Sequence, residues 1–192
     1  DRFIMLYSAG KDLFDAKDED TVKLNLKAGE MYMSMYEDED INTRILKAYS
    51  FFEENHKNTS CLQETEEKIM SEGYYTICRF YQNYIFNTSS VKEASKAEYR
   101  EFFEEMKRTV KMKEESSFSN EYDSLLAYNT VFILLFDQRF GLINADISGE
   151  EILQLMDHIA KRAGEMRVSR VPSENLKREI EENYIQYIAA VE

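Results

Sequence analysis

The sequence predicts an all-α fold. The 192 residues include one proline and six glycines, so the turn-forming residues that separate short β-strands are largely missing. Apolar residues recur every three or four positions, which is the spacing of one face of an α-helix. Several of these segments are preceded by a serine that is followed three positions later by Glu or Gln, as is typical of helix starts. Together these three observations predict helices along the whole chain.

Eight helices are predicted, joined by short polar segments. They span residues 2–16, 20–36, 43–56, 61–86, 95–112, 119–138, 149–164 and 172–191. Every helix from the second onward contains a stripe of apolar residues at helical spacing. In chain order these stripes lie within residues 22–36, 45–52, 69–84, 99–110, 125–136, 152–163 and 176–191. Because the connections are short, we expect successive helices to pack antiparallel in a single domain over residues 1–192.

Local signals support the helix starts. In a capping box, a serine side chain accepts a hydrogen bond from the first turn while Glu or Gln reaches back to the serine. Three pairs have this spacing: Ser60 and Gln63, Ser95 and Glu98, and Ser148 and Glu151. Pro172 suits the first turn of the last helix, where its missing N–H group is not needed.

Composition excludes several classes of protein. With 37 acidic and 24 basic residues the net charge is −13, which disfavours nucleic acids and anionic membrane surfaces as partners. The longest apolar run, residues 131–136, is far shorter than the ~20 residues that span a bilayer. The chain starts at Asp1 without an initiator Met, so we expect it to be part of a longer protein.

No metal or cofactor is predicted. Cys61 and Cys78 are not in a Cys-x-x-Cys pair. Glu-x-x-His occurs once, ending at His56, whereas a di-iron bundle needs two such motifs. Residues 144–149 imitate the start of a calcium loop, but its twelfth position is Leu155 instead of Glu.

No catalytic residues are predicted either. The chain lacks the Gly-x-Ser-x-Gly, phosphate-loop and His-Glu-x-x-His motifs. With two histidines, His56 and His158, an acid–base pair is hard to build, although paired carboxylates could act without them.

One helix pair matches the tetratricopeptide pattern, in which small residues on the first helix allow close contact and an aromatic residue on the second closes the pair. Ala28, Gly29 and Tyr32 fit the first helix, and Ala48 and Phe52 fit the second. The later helix pairs match less well. The expected architecture is a tetratricopeptide-like array of antiparallel helix hairpins, right-handed and solenoid-like.

The same register predicts a groove for a peptide or protein partner. Its candidate binding residues mix polar and apolar types, as binding surfaces do. They are Lys23, Leu26, Glu30, Met33 and Ser34 on the first helix of the pair and Glu67, Met70, Tyr74 and Ile77 on the next unit. For the Met- and Tyr-rich helix over residues 20–36, burial at the centre of the fold is the preferred interpretation, and a ligand groove is the alternative.

Five segments read together resemble one family. They resemble the C-terminal, tetratricopeptide-like helical region of membrane-anchored serine/threonine protein kinases of Gram-positive bacteria, over roughly residues 22–164. The segments are 27–36 (KAGEMYMSMY), 44–52 (RILKAYSFF), 73–81 (GYYTICRFY), 99–106 (YREFFEEM) and 122–128 (YDSLLAY).

The resemblance implies a non-catalytic sensory or protein-interaction module on the extracytoplasmic face of a membrane-anchored kinase. Its ligand would be a protein, a peptide or a cell-envelope component, and a homodimer is compatible with it. The kinase signatures themselves, a Gly-rich loop, HRD and DFG, are absent from the sequence. Two alternatives stay open: a cytoplasmic adaptor that recruits partner proteins, and a helical-bundle enzyme that uses paired carboxylates.

Overall fold

The structure is a computed structural model that describes Tyr7, Gly10 and residues 18–34, 41–58, 66–85, 93–115 and 120–191. Within these residues it contains seven α-helices and no strand, which confirms the all-α prediction. The helices are α1 (Glu19–Ser34), α2 (Ile41–Asn58), α3 (Glu66–Phe80), α4 (Lys96–Glu115), α5 (Glu121–Asn144), α6 (Gly149–Glu165) and α7 (Val171–Val191). A π-helical turn, Tyr81–Ile85, follows α3.

The predicted boundaries need two corrections. The helix expected to end at residue 138 continues to Asn144, because Leu142 is fully buried and the Tyr99 ring covers Gly141. The helix expected over 61–86 is described from Glu66 and changes to π-helical geometry at Tyr81. The predicted helix over 2–16 lies outside the described residues except for Tyr7 and Gly10, which are both helical.

The chain divides into two compact units, Asp1–Glu93 and Ala94–Glu192. In the first unit, α1 packs against both α2 and α3, and α2 packs against α3. In the second unit α5 contacts α4, α6 and α7, and α6 also contacts α7. The expectation of a single domain over the whole chain stays a prediction.

The hairpin of α1 and α2 is closed by the predicted contact of a small residue with an aromatic ring. A Cβ atom on Gly29 would lie 2.3 Å from Cζ of Phe52, so only glycine allows the two helices to approach this closely. Ala28 and Ala48 are fully buried beside this contact. The expected pairing is therefore present locally, while the tetratricopeptide-like array remains a prediction.

A buried chain of polar side chains crosses the first unit. The Tyr7 hydroxyl donates to Asn25 at 2.8 Å, and Asn25 donates to Asn55 at 2.9 Å. Asn55 in turn donates to the Ser71 hydroxyl at 2.9 Å and to the Val22 carbonyl at 3.1 Å. Burial, with a smaller contribution from Glu54, raises the pKa of Tyr7 to about 12. Since these groups satisfy one another away from water, the network fixes the mutual register of α1, α2 and α3.

Helix α5 is the centre of the second unit. Its middle part, residues 125–135, is buried on nearly every face, as expected of a helix covered on several sides. Its fully buried apolar side chains are Leu125, Val131, Leu134, Leu135 and Leu142. The other three helices of the unit therefore share one core built around α5.

Two of the three predicted capping boxes are confirmed, and the third, at Ser60, lies outside the described residues. Ser148 accepts from the Glu151 N–H at 3.1 Å, and the Glu151 carboxylate accepts from the Ser148 N–H at 3.0 Å. Ser95 and Glu98 form the same reciprocal pair at the start of α4. Pro172 lies in the first turn of α7, as expected.

Candidate functional site

The predicted groove residues of the first unit lie mostly in its core. Lys23 is exposed and pairs with Glu19 at 2.7 Å, Glu67 is half-buried, and the Ser34 side chain lies outside the described residues. The other six side chains are buried: Leu26, Glu30, Met33, Met70, Tyr74 and Ile77. A peptide could reach these six only if the helices separated, so the geometry adds no support to this groove.

The centre of this set is a buried carboxylate beside a buried phenol. Glu30 is 4% exposed and Tyr74 is 1% exposed. Burial raises the pKa of Tyr74 well above its usual value, and the nearby Glu30 carboxylate adds to that effect. The Tyr74 ring also stacks on Phe52 with 5.1 Å between centroids. These contacts make Tyr74 a packing residue between the helices.

A surface groove between α6 and α7 is a better candidate. Its volume is about 460 Å³, and it is wide open to solvent. Asp157, Ala160 and Lys161 share one face of α6 by their spacing, and Glu181, Tyr184 and Ile185 share one face of α7. These six residues line it and define what we call the α6–α7 groove.

Tyr184 anchors the groove to the core. Its hydroxyl donates to the Asp157 carboxylate across the two helices, and this bond together with burial raises the pKa of Tyr184. The rings of Tyr184 and Phe132 of α5 form a T-shaped pair, with 6.4 Å between centroids. Because Phe132 is 1% exposed, the aromatic floor of the groove rests on a rigid support.

The charged groups on the groove rim have no ionic partner among the described residues. Neither Lys161 nor Glu181 forms an ion pair there, and the Asp157 carboxylate accepts a hydrogen bond from Tyr184 alone. The ammonium group of Lys177, also on α7, is instead engaged in hydrogen bonds: it donates to the carbonyls of Gly164 and Met166 at the end of α6. Among the described residues, the groove therefore offers two carboxylates and one ammonium group without an ionic partner, and one of the carboxylates, Asp157, also accepts the Tyr184 hydrogen bond.

The α6–α7 groove also carries exposed apolar surface. Ile185 is 67% exposed, and Ala160 and the Tyr184 ring are half-buried beside it. The sequence does not predict this groove, because the apolar residues of α7 form a helical stripe of the kind that faces a core. The signal was Ile185 itself, an apolar residue next to Tyr184 that the helical spacing of Leu176, Ile180 and Tyr184 leaves out.

A second exposed apolar stripe runs along the end of α5. Phe136, Phe140 and Ile143 are 37%, 66% and 48% exposed, and their spacing places them on one helix face. The Arg139 guanidinium lies 4.4 Å from the centroids of both phenylalanine rings. Cation–π contact therefore covers part of this stripe.

Both histidines bridge neighbouring helices through a glutamate. His56 has Nδ1 2.8 Å from Glu72 Oε2, and its ring stacks on Tyr75 with 4.1 Å between the centroids. His158 contacts Glu114 of α4 at 2.5 Å, and the same carboxylate accepts from Arg162 at 3.2 Å. These contacts join α2 to α3 and α4 to α6, a pairing that sequence spacing could not reveal.

The residues considered for metal binding make other contacts. Within the described parts of the chain, no group of three or more His, Cys, Asp or Glu side chains could hold a metal ion. Asp146, in the calcium-like segment, binds Lys96 and Arg100 of α4, and Ser148 caps α6. Cys78 is buried, which raises the pKa of its thiol, while Cys61 lies outside the described residues.

Comparison with known proteins gives no relative. No protein-family model matches the chain, and no curated protein or solved structure is significantly similar to it. None of the helices described here is long and apolar enough to cross a membrane.

Proposed function

We propose that this chain is a non-catalytic protein-interaction module that binds a short segment of a partner protein in the α6–α7 groove. One observation carries the proposal: the groove combines exposed apolar surface with charged groups that make no ion pair among the described residues. Apolar contact area with a polar rim is the usual anatomy of a protein-binding surface.

The open shape of the groove favours a peptide over a small-molecule substrate. Ligand pockets usually enclose most of the ligand surface, whereas the walls of this groove leave one side open. The alternative of an enzyme with paired carboxylates would be favoured by a deep pocket that excludes water. Asp157 and Glu181 lie instead in an open groove, so this geometry gives that alternative no support.

The family resemblance extends the proposal to the parent protein. We propose that the module belongs to a membrane-anchored serine/threonine kinase and acts on the extracytoplasmic side, where binding would shift the arrangement of the attached domains. A cytoplasmic adaptor is the alternative. Reading the gene upstream of the Asp1 codon separates the two: a kinase domain followed by ~20 apolar residues is expected, and an upstream region lacking both would overturn the kinase assignment.

The proposed binding site can be tested by selecting a random displayed peptide library against the immobilised full chain. The wild type should enrich a family of related peptides, and Ile185→Arg should abolish their binding by placing a bulky charge over the apolar surface. Val171→Arg is the matched control, since Val171 is 68% exposed on the same helix and does not line the groove. Failure to enrich any peptide, or unchanged binding by Ile185→Arg, would contradict the proposal.

A further inference from the structure

We infer that the segment bound in the α6–α7 groove carries an arginine or lysine next to a bulky aliphatic or aromatic residue. This inference rests on the proposed function, because it names the class of partner that the same groove would take.

The charge of the α6–α7 groove favours a cationic side chain. Asp157 and Glu181 contribute two negative charges and Lys161 one positive charge, so the lining is net negative. All three are exposed, and none has an ionic partner among the described residues. A cationic side chain can approach the two carboxylates without displacing an existing ion pair, and a guanidinium offers several donors to do so.

The apolar part of the groove favours an aliphatic or aromatic side chain next to the cationic one. Ile185, Ala160 and the Tyr184 ring provide the surface that an adjacent aliphatic or aromatic side chain would cover. Removing this apolar surface from water is favourable, so covering it strengthens binding. The volume of about 460 Å³ suits a few side chains of a short segment.

The electrostatic field of the whole chain also favours a basic segment. A net charge of −13 attracts basic segments over long distances and repels acidic ones. Such a field raises the rate of encounter and suppresses wrongly charged partners. Long-range attraction and local charge therefore favour the same class of segment.

The inference is tested with ¹⁵N-labelled full chain and three capped peptides, Ala-Leu-Arg-Leu-Ala and its Gln and Glu counterparts. The Arg peptide should shift the amide signals of the groove residues and bind at least about 5-fold more tightly than the Glu peptide. Equal affinities, or shifts confined to other surfaces, would overturn the inference.

Single substitutions sharpen the test. Asp157→Asn and Glu181→Gln should each weaken binding of the Arg peptide by about 2- to 5-fold, the range of exposed ion pairs. Lys161→Glu should tighten it by a similar factor, a gain that damage to the fold would not produce. Lys111→Glu makes the same change in net charge at an exposed site on α4 and should have a smaller effect. If Lys161→Glu fails to exceed Lys111→Glu, the local charge argument is wrong.

The peptide-library selection tests the proposed function independently of this inference. Enriched peptides that need Ile185 but lack basic residues would overturn this inference and leave the proposed function standing. No enrichment at all would overturn both.

Discussion

Gly29 shows how one residue sets the distance between two helices. A methyl group at this position would lie 2.3 Å from Cζ and 2.5 Å from Cε1 of the Phe52 ring, which is fully buried and has little room to move. The pair was recognisable in the sequence, because small residues on one helix and an aromatic residue on the next follow a known spacing.

We expect Gly29→Ala to lower the free energy of unfolding by about 1–3 kcal/mol, since overpacking displaces the ring or separates α1 from α2. Urea denaturation followed by circular dichroism measures this effect. Gly164→Ala is the matched control: apart from the neighbouring residues and backbone of its own helix, no atom lies within 4 Å of the added methyl group, and alanine should stabilise α6 by about 0.5–1 kcal/mol. If Gly29→Ala and Gly164→Ala were equally stable, the close approach of α1 and α2 at Gly29 would not be required.

Glu179 is a second residue whose environment has a measurable consequence. Burial raises the pKa of this α7 carboxyl group to about 7; the nearby Glu182 carboxylate also raises it, and a hydrogen bond with Asn183 opposes the shift. The unfolded chain has a pKa near the ordinary value of ~4.3. Between these two values the folded state holds the proton more tightly, so stability falls as pH rises through this window.

We therefore expect Glu179→Gln to make the protein more stable than the wild type at pH ~8, by about 1–3 kcal/mol. The difference should shrink as the pH falls and vanish below ~4, where the wild-type carboxyl group is protonated in both states. Urea denaturation across this pH range tests the sign. Glu181→Gln, at an exposed position on the same helix, is the control for removing a carboxylate from α7. A wild type that gains stability relative to Glu179→Gln as pH rises would contradict the assignment.

At the scale of single elements, sequence reasoning succeeds where the signal is local. The capping boxes at Ser95 and Ser148 involve residues three positions apart, and both form as predicted. The end of α5 was predicted too early because Gly141 and the polar residues after it look like a loop. What extends the helix is the Tyr99 ring on α4, which fills the space beside Gly141. Sequence near residue 141 contains no trace of this contact.

The candidate site shows that local sequence patterns do not predict which helix faces meet. The expected groove of the first unit followed from a repeat register, but six of its nine side chains turn inward. Periodicity finds apolar faces, and a buried helix with several neighbours has more than one such face. The α6–α7 groove depends instead on which faces of two helices meet, as the bond from Tyr184 to Asp157 shows. Ile185, an exposed apolar residue beside the core stripe, was the one local indication.

At the scale of the whole molecule, the division into two compact units bears on the expected single domain. The second unit, Ala94–Glu192, contains a complete core around α5. Leu125, Phe132 and Leu135 of this helix are at most 1% exposed, and α4, α6 and α7 each contact it. Capping groups at Ser95, Asn120 and Ser148 lie within the same unit.

A fragment of residues 94–192 should therefore fold on its own. A domain of about 100 residues buries enough apolar surface to be stable without disulfides or metals. We expect the fragment to retain helical circular dichroism and to unfold in one cooperative urea transition. Phe132→Ala in the fragment should cost about 3–5 kcal/mol, because it empties the centre of the α5 core. A gradual transition that Phe132→Ala does not alter would show that the core needs the rest of the chain, as a single domain over all 192 residues requires.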